Sequence, residues 1–97
     1  MEMSGTEVEM HIRKLLLKYH AECAILFGSY ARGEETMESD IDVIVVGGAD
    51  FEARDIFAFG EELRQLTQKD VDVFEIREVN KDTKFYETVM REGVRIA

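Results

Sequence analysis

Ala24-Ile25-Leu26-Phe27-Gly28-Ser29, then ten residues, then Asp40-Ile41-Asp42-Val43-Ile44-Val45-Val46, is the stretch on which the reading of this chain turns. Each half is an apolar run of strand length with polar residues at its mouth. The first run delivers the chain to Gly28-Ser29, and the second leaves from Asp40 and Asp42. Side chains alternate faces along a strand, so Asp40 and Asp42 are neighbours on one surface. Two carboxylates that close repel one another unless a cation lies between them or one is protonated. Hard oxygen donors of this kind suit Mg²⁺, which usually takes one or two carboxylates together with substrate phosphates.

The remainder of the chain bounds what such a site can be. Its 97 residues are 45% hydrophobic, which predicts a single domain over residues 1–97 with one core. No apolar stretch approaches the roughly 18 residues of a membrane span. The N-terminal Met1-Glu2-Met3-Ser4-Gly5 lacks the charged and apolar regions of a signal peptide, so the expected location is the cytoplasm, without a membrane partner. A lone Cys23 cannot form an internal disulfide and has no zinc-type pattern around it, which makes it a small buried residue. With 21 acidic against 12 basic residues the net charge is −9, which argues against a nucleic-acid-binding surface. A polyphosphate bound in that field needs metal ions to offset it. Most of the acidic residues need no explanation beyond solubility.

Read along its length, the chain alternates helix and strand without repeat or linker. A helix is predicted from about Thr6 to Tyr19, with Thr6-x-x-Glu9 as its capping box and Val8, Ile12, Leu15, Leu16 and Tyr19 on one stripe. A strand at 23–27 leads to the Gly28-Ser29 turn, and Tyr30-Ala31-Arg32 begins a short helical turn before a polar loop. The strand at 40–46 ends at Gly47-Gly48. Asp50 is the expected cap of a helix over 51–67 that buries Ile56, Phe59, Leu63 and Leu66. A third strand spans 70–76, and Asn80 or Asp82 caps a helix through Phe85, Val89 and Met90 that Gly93 stops. Val94-Arg95-Ile96 closes the chain as a short edge strand. The predicted fold class is α/β (α+β), a small mixed sheet with helices packed mainly on one face.

The third strand adds a further carboxylate. Asp72 lies between Val71 and Val73, where a charge is costly unless paired or metal-bound, whereas Asp70 shares its parity but sits at the strand entrance. Gly28 lets the backbone approach a phosphate without a Cβ, and Ser29 adds a hydroxyl beside amides at a helix start. Arg32 reaches a phosphate, clamps a carboxylate, or forms a structural salt bridge. Tyr30 reads as a packing residue or nucleotide-edge contact, and His11 and His20 as surface residues. Parity also puts Ile44, Val46, Phe74 and Ile76 on the face of the carboxylates. This apolar apron either docks a partner chain or second copy, or is covered by the C-terminal helix.

Gly28-Ser29, the Asp40-x-Asp42 pair and the intervening Ala31-Arg32-Gly33 together resemble the nucleotidyltransferase superfamily that includes DNA polymerase β and the aminoglycoside nucleotidyltransferases. In detail they are similar to the minimal nucleotidyltransferases (MNT proteins) paired with HEPN-domain proteins in toxin and antitoxin modules. The resemblance extends to the Val71-Asp72-Val73 strand and the closing Glu92-Gly93-Val94 segment. Four fixed positions of this kind arise by chance in a chain this long about once in a thousand.

What the resemblance implies is nucleotidyl transfer. The α-phosphate of ATP or another nucleoside triphosphate is attacked, pyrophosphate leaves, and two Mg²⁺ ions about 4 Å apart neutralise the attacking and leaving oxygens. By resemblance Asp40, Asp42 and Asp72 are the catalytic and metal-binding carboxylates, and Gly28, Ser29 and Arg32 bind the nucleotide. Larger members carry a further domain that holds the acceptor, which makes the expected acceptor here a small molecule or another protein. The leading expectation is an antitoxin that transfers AMP to a tyrosine hydroxyl of a HEPN-type partner. The alternatives are a non-catalytic antitoxin acting by occlusion and a subunit of a small-molecule nucleotidyltransferase.

Overall fold

The computed structural model describes residues 4–97; Met1 to Met3, and with them the start of the N-terminal stretch read for a signal peptide, lie outside the described residues. The elements run α1 (Gly5–Lys18), β1 (Cys23–Phe27), α2 (Ser29–Arg32), β2 (Ile41–Val46), α3 (Ala53–Thr67), β3 (Val71–Glu75), a 3-10 turn (Ile76–Glu78), α4 (Lys84–Glu92) and β4 (Val94–Ile96). The four strands form one mixed sheet in the order β3-β2-β1-β4. β1 pairs antiparallel with β2 and with β4, while β2 and β3 run parallel and are joined through α3. No helix among the described residues is long and apolar enough to cross a membrane.

The alternation of side chains divides the sheet into two faces. Ala24, Leu26, Ile41, Val43, Val45 and Val71 point to one side, where Val8, Ile12, Leu15 and Leu16 of α1 and Phe59 and Leu63 of α3 close over them as the main core. The opposite face carries Phe27, Asp42 and Asp72 in one cross-strand row and Ile25, Ile44 and Phe74 in the next. Here the C-terminal helix does cover part of the apolar apron. Ile44 and Val89 are buried, and Phe85 of α4 packs edge-on against Phe27 and Phe74 at centroid distances of 5.5 and 5.9 Å. Phe74 and Phe85 nonetheless remain 40% and 43% exposed, so the apron is reduced rather than removed.

Helix ends differ from the sequence reading in a consistent way. The cap of α1 is Ser4 and not Thr6: the Ser4 hydroxyl accepts from the Glu7 amide at 3.2 Å and donates to the Glu7 carboxylate at 3.1 Å. Glu52, not Asp50, precedes α3, and its amide donates to Asp55 at 2.8 Å. Thr83 caps α4 by accepting from the Tyr86 amide at 3.2 Å, while Asn80 holds a turn through the Asp82 amide. In each case the cap is the residue whose backbone is still extended immediately before the first turn, a property set by the incoming chain. Leu66 is 45% exposed because the buried stripe of α3 runs through Phe59, Leu63 and Thr67, whose hydroxyl is satisfied by the Leu63 carbonyl. Gly93 ends α4 in an extended conformation; a Cβ there would lie 2.4 Å from Ile25 and 2.5 Å from the Val89 carbonyl oxygen.

A polar clamp fixes α1 against α3. Glu62 accepts from Lys18 at 2.6 Å and from the Tyr19 hydroxyl. The hydrogen bond to Glu62, followed by burial and the charge of Glu62, pushes the Tyr19 hydroxyl up to about 12. Glu62 is lowered, first by the hydrogen bond from Lys18 and then by that from Tyr19. The raised Tyr19 group stabilises the fold below its unfolded value and loses that contribution as pH rises through its folded one. The lowered Glu62 group contributes above its unfolded value and loses that contribution as pH falls. Tyr19→Phe should therefore cost about 0.5–1 kcal/mol at neutral pH, after allowance for partial exposure. In chemical denaturation the gap to wild type should narrow as pH is raised from 10 towards 12; a gap that widens there would contradict the assigned bond.

Candidate active site

β1 ends at Phe27, and Gly28 then turns the chain with φ +75° and ψ −153°, a conformation that L side chains rarely adopt. The Gly28 carbonyl accepts the amides of Ala31 and Arg32, which starts α2 at Ser29. A Cβ on Gly28 would stand 2.6 Å from an Asp42 carboxylate oxygen. The glycine is thus required twice, once for the turn and once for the close approach of backbone to carboxylate.

Asp42 and Asp72 are opposite one another in the parallel β2–β3 register, and Phe27 faces Asp42 from the other side. Asp42 is half-buried, with its carboxyl pushed up from its ordinary value. The largest cause is burial; next come the charge of Asp72, a hydrogen bond shared with Asp72, and the charge of Asp40, while Arg32 opposes them. Asp40 and Asp72 are exposed. Asp70 sits at the strand entrance, where its carbonyl accepts the Ile41 amide at 2.9 Å and so starts the β2–β3 ladder. The structure therefore brings Asp42 and Asp72 into contact, with Asp40 near enough to be felt.

Arg32 pairs with Glu34 at 2.6 Å and reaches Glu92 at 3.9 Å, while its charge still acts on Asp42. It lines a hollow with Gly28, Phe27, Phe85 and Glu92. Ser29 is half-buried at the first position of α2, and Tyr30 is buried in the core beneath it.

Lys69 was not singled out from sequence. Its ammonium donates to the carbonyls of Thr36, Met37 and Ser39 at 3.4, 3.0 and 3.1 Å and lies 5.7 Å from the Tyr30 ring centroid. One side chain thereby gathers the loop that delivers Asp40. No local pattern announces this, because Lys69 and Ser39 are brought together only by β2–β3 pairing. Lys69→Met should speed amide exchange across residues 36–40 while leaving the α1 and α3 amides unchanged, which exchange mass spectrometry resolves.

The donor set at this site suits a divalent cation. It is all oxygen, and Asp42 suffers like-charge repulsion that a cation would relieve. Among the described residues no three acidic, histidine or cysteine side chains close on one point by themselves. A cation here would accordingly take further ligands from a substrate phosphate or water. Because Asp42 is raised, its contribution to stability is lost as pH rises through its folded value, and above that value its charge weighs against the fold. Asp42→Asn should raise the melting temperature by a few degrees in cation-free buffer at neutral pH. Added Mg²⁺ should stabilise the wild type but not the variant.

Residues 10–97 match the family model described as Polymerase beta, Nucleotidyltransferase. A relative from Methanocaldococcus jannaschii, provisionally named a protein adenylyltransferase, is 32% identical over 94 residues, covering 97% of this chain and 99% of its own. A solved structure provisionally described as a minimal nucleotidyltransferase superposes with a TM-score of 0.79 at 25% identity, over 97% of this chain and 95% of that one. A chain of a toxin–antitoxin structure with AMP-PNP gives 0.78 at 25% identity, over 92% and 72%. A chain of the complex between tri-AMPylated Shewanella oneidensis HEPN toxin and MNT antitoxin gives 0.73 at 22% identity, over 96% and 71%, a likeness of fold.

Proposed function

The chain belongs to the polymerase β nucleotidyltransferase family, and on that premise we propose that it is an antitoxin that transfers AMP from ATP to a tyrosine hydroxyl of a HEPN-type partner. The observation that carries this reading is the Asp42–Asp72 pair, held across neighbouring strands and packed against the Gly28 turn. A pair of carboxylates kept in contact against their own repulsion is costly to a fold. It is what a reaction requires when cations must be held to neutralise charge on phosphate oxygens.

In the proposed reaction the acceptor oxygen forms a bond to the α-phosphorus as the bond from that phosphorus to the bridging oxygen breaks. Pyrophosphate leaves with the electron pair, and the acceptor proton passes to a carboxylate, for which exposed Asp72 is the accessible candidate. Gly28 and Ser29 would hold the phosphates at the turn, and Arg32 would exchange its exposed pairing with Glu34 for a phosphate oxygen. Two Mg²⁺ ions held by Asp40, Asp42 and Asp72 would supply charge neutralisation on the attacking and leaving oxygens. Transfer to a protein is supported by the M. jannaschii relative's name, and a HEPN partner by the AMPylated toxin complex among the fold neighbours.

The test is to incubate the protein and the product of its adjacent gene with ATP and Mg²⁺ and to weigh that product. The expected result is an added AMP mass that disappears with EDTA and falls by about two orders of magnitude or more for Asp42→Asn or Asp72→Asn. Neutralisation of toxicity that survives Asp42→Asn would instead establish occlusion, and pyrophosphate release with metabolites but not with the partner would establish a small-molecule transferase.

A further inference from the structure

Asp72 is on β3, and β3 is an edge of the sheet. The Ile41 amide bonds Asp70, so the backbone groups of Asp70, Asp72 and Phe74 face β2. Those of Val71, Val73 and Glu75 therefore face outward, where Val71 and Glu75 are buried and Val73 is half-buried. Arg64 takes the outward carbonyl of Val71 at 2.9 Å. Beside this edge, on the helical side of the sheet, lies a hollow lined by Ile56, Phe57, Gly60, Arg64 and Val73, which continues past Ile56 and Phe57 to Glu75 and Arg77. Phe57, on its wall, is 80% exposed.

Resting on the transferase reading above, we propose that the acceptor segment lies extended along the outer edge of β3, pairing with it at Val73. Its hydroxyl-bearing residue then lies opposite Asp72, and the apolar residues on either side of it enter the Ile56–Phe57 hollow. The pleat dictates this division. A residue opposite Asp72 projects to the carboxylate face, with its Cβ about 4.5–5.5 Å from that of Asp72, while its two neighbours project to the helical face. Main-chain pairing at Val73 supplies affinity, and the alternate pockets supply choice of sequence.

Two further features select an aromatic hydroxyl. A side chain as long as that of tyrosine, lying across the sheet, carries its oxygen over the Asp42–Asp72 pair one strand further in. Phe74 stands two residues beyond Asp72 on the same face, the diagonal position within reach of an aromatic side chain, and its ring is 40% exposed. The rings of Phe27 and Phe85 support it from behind. The continuity of this edge with the carboxylate site distinguishes an acceptor from a second copy. Pairing two β3 edges antiparallel about Val73 would set Asp72 of each copy diagonally across from the other and add repulsion to a site already strained by like charge.

The probe is a pair of heptapeptides of equal composition, Lys-Lys-Val-Tyr-Val-Lys-Lys and Lys-Val-Lys-Tyr-Lys-Val-Lys, whose lysines suit a chain of net charge −9. Hydrogen exchange of the full chain is followed with each peptide, and adenylylation is followed by mass in the presence of ATP and Mg²⁺. The expected result is protection of the Val73 amide by the first peptide, together with about a tenfold preference for it in kcat/KM. Phe57→Lys should abolish that preference, whereas Leu17→Lys, an equally exposed change on α1, should not. Absence of protection overturns the proposal, as do equal protection by both peptides and Val73 protection already present in a homodimer. Protection without transfer to either peptide would instead count against the transferase reading and leave the docking edge standing.

Discussion

The repulsion between Asp42 and Asp72 is the constraint around which the structure is arranged. It arises from register. Parallel pairing of β2 with β3 puts the two residues side by side, and antiparallel pairing of β1 with β2 brings Phe27 and then Gly28 against the same carboxylate. A shift of one residue in either ladder would send an aspartate into the apolar core and a valine to the surface. Val43 and Val73 on the opposite face, closed over by α1 and α3, prevent that shift. The core thus holds the carboxylates in contact, and the free energy of that arrangement comes from burial on the far side of the same strands.

This division of labour explains how much of the molecule could be read from its sequence. β1 spans the predicted residues, and β2 and β3 lie within theirs, because period-two alternation and apolar runs are local signals. The same alternation puts Asp40 and Asp42 on one face of their strand, and the β2–β3 register places Asp72 beside Asp42. Preference for Asp72 over Asp70 followed from a charge between two valines, and Asp72 is the one in contact with Asp42.

What sequence did not yield has a common cause. Thr6, Asp50, Asn80 and Asp82 all have acceptable capping chemistry, but a cap is chosen by where the backbone changes from extended to helical, and that depends on the packing of the preceding loop. Lys69 is one lysine among exposed charges until β2 and β3 pair and bring three carbonyls of residues 36–39 within its reach. Leu66 falls on the apolar stripe with Ile56, Phe59 and Leu63, whereas packing gives the last buried position of the helix to Thr67, whose hydroxyl bonds back to its own helix. Propensity identified the elements, and tertiary contact decided their ends and partners.

The position of Asp72 at the rim gives β3 opposing requirements. An edge strand is a hazard, and proteins commonly shield such edges with charge, bulges or covering loops. Here shielding is partial: Arg64 occupies the carbonyl of Val71, and the 3-10 turn after Glu75 ends the ladder early, yet the stretch around Val73 stays open. Full cover would isolate Asp72 from any group arriving beside it, since β2 already fills its other side. A central strand could have held the same carboxylate more firmly, but only with both neighbours occupied by the protein itself. On the proposed reading Asp72 meets a second reactant from within the plane of the sheet, which suits the outermost strand, and the openness that makes β3 a liability is then a condition of that access.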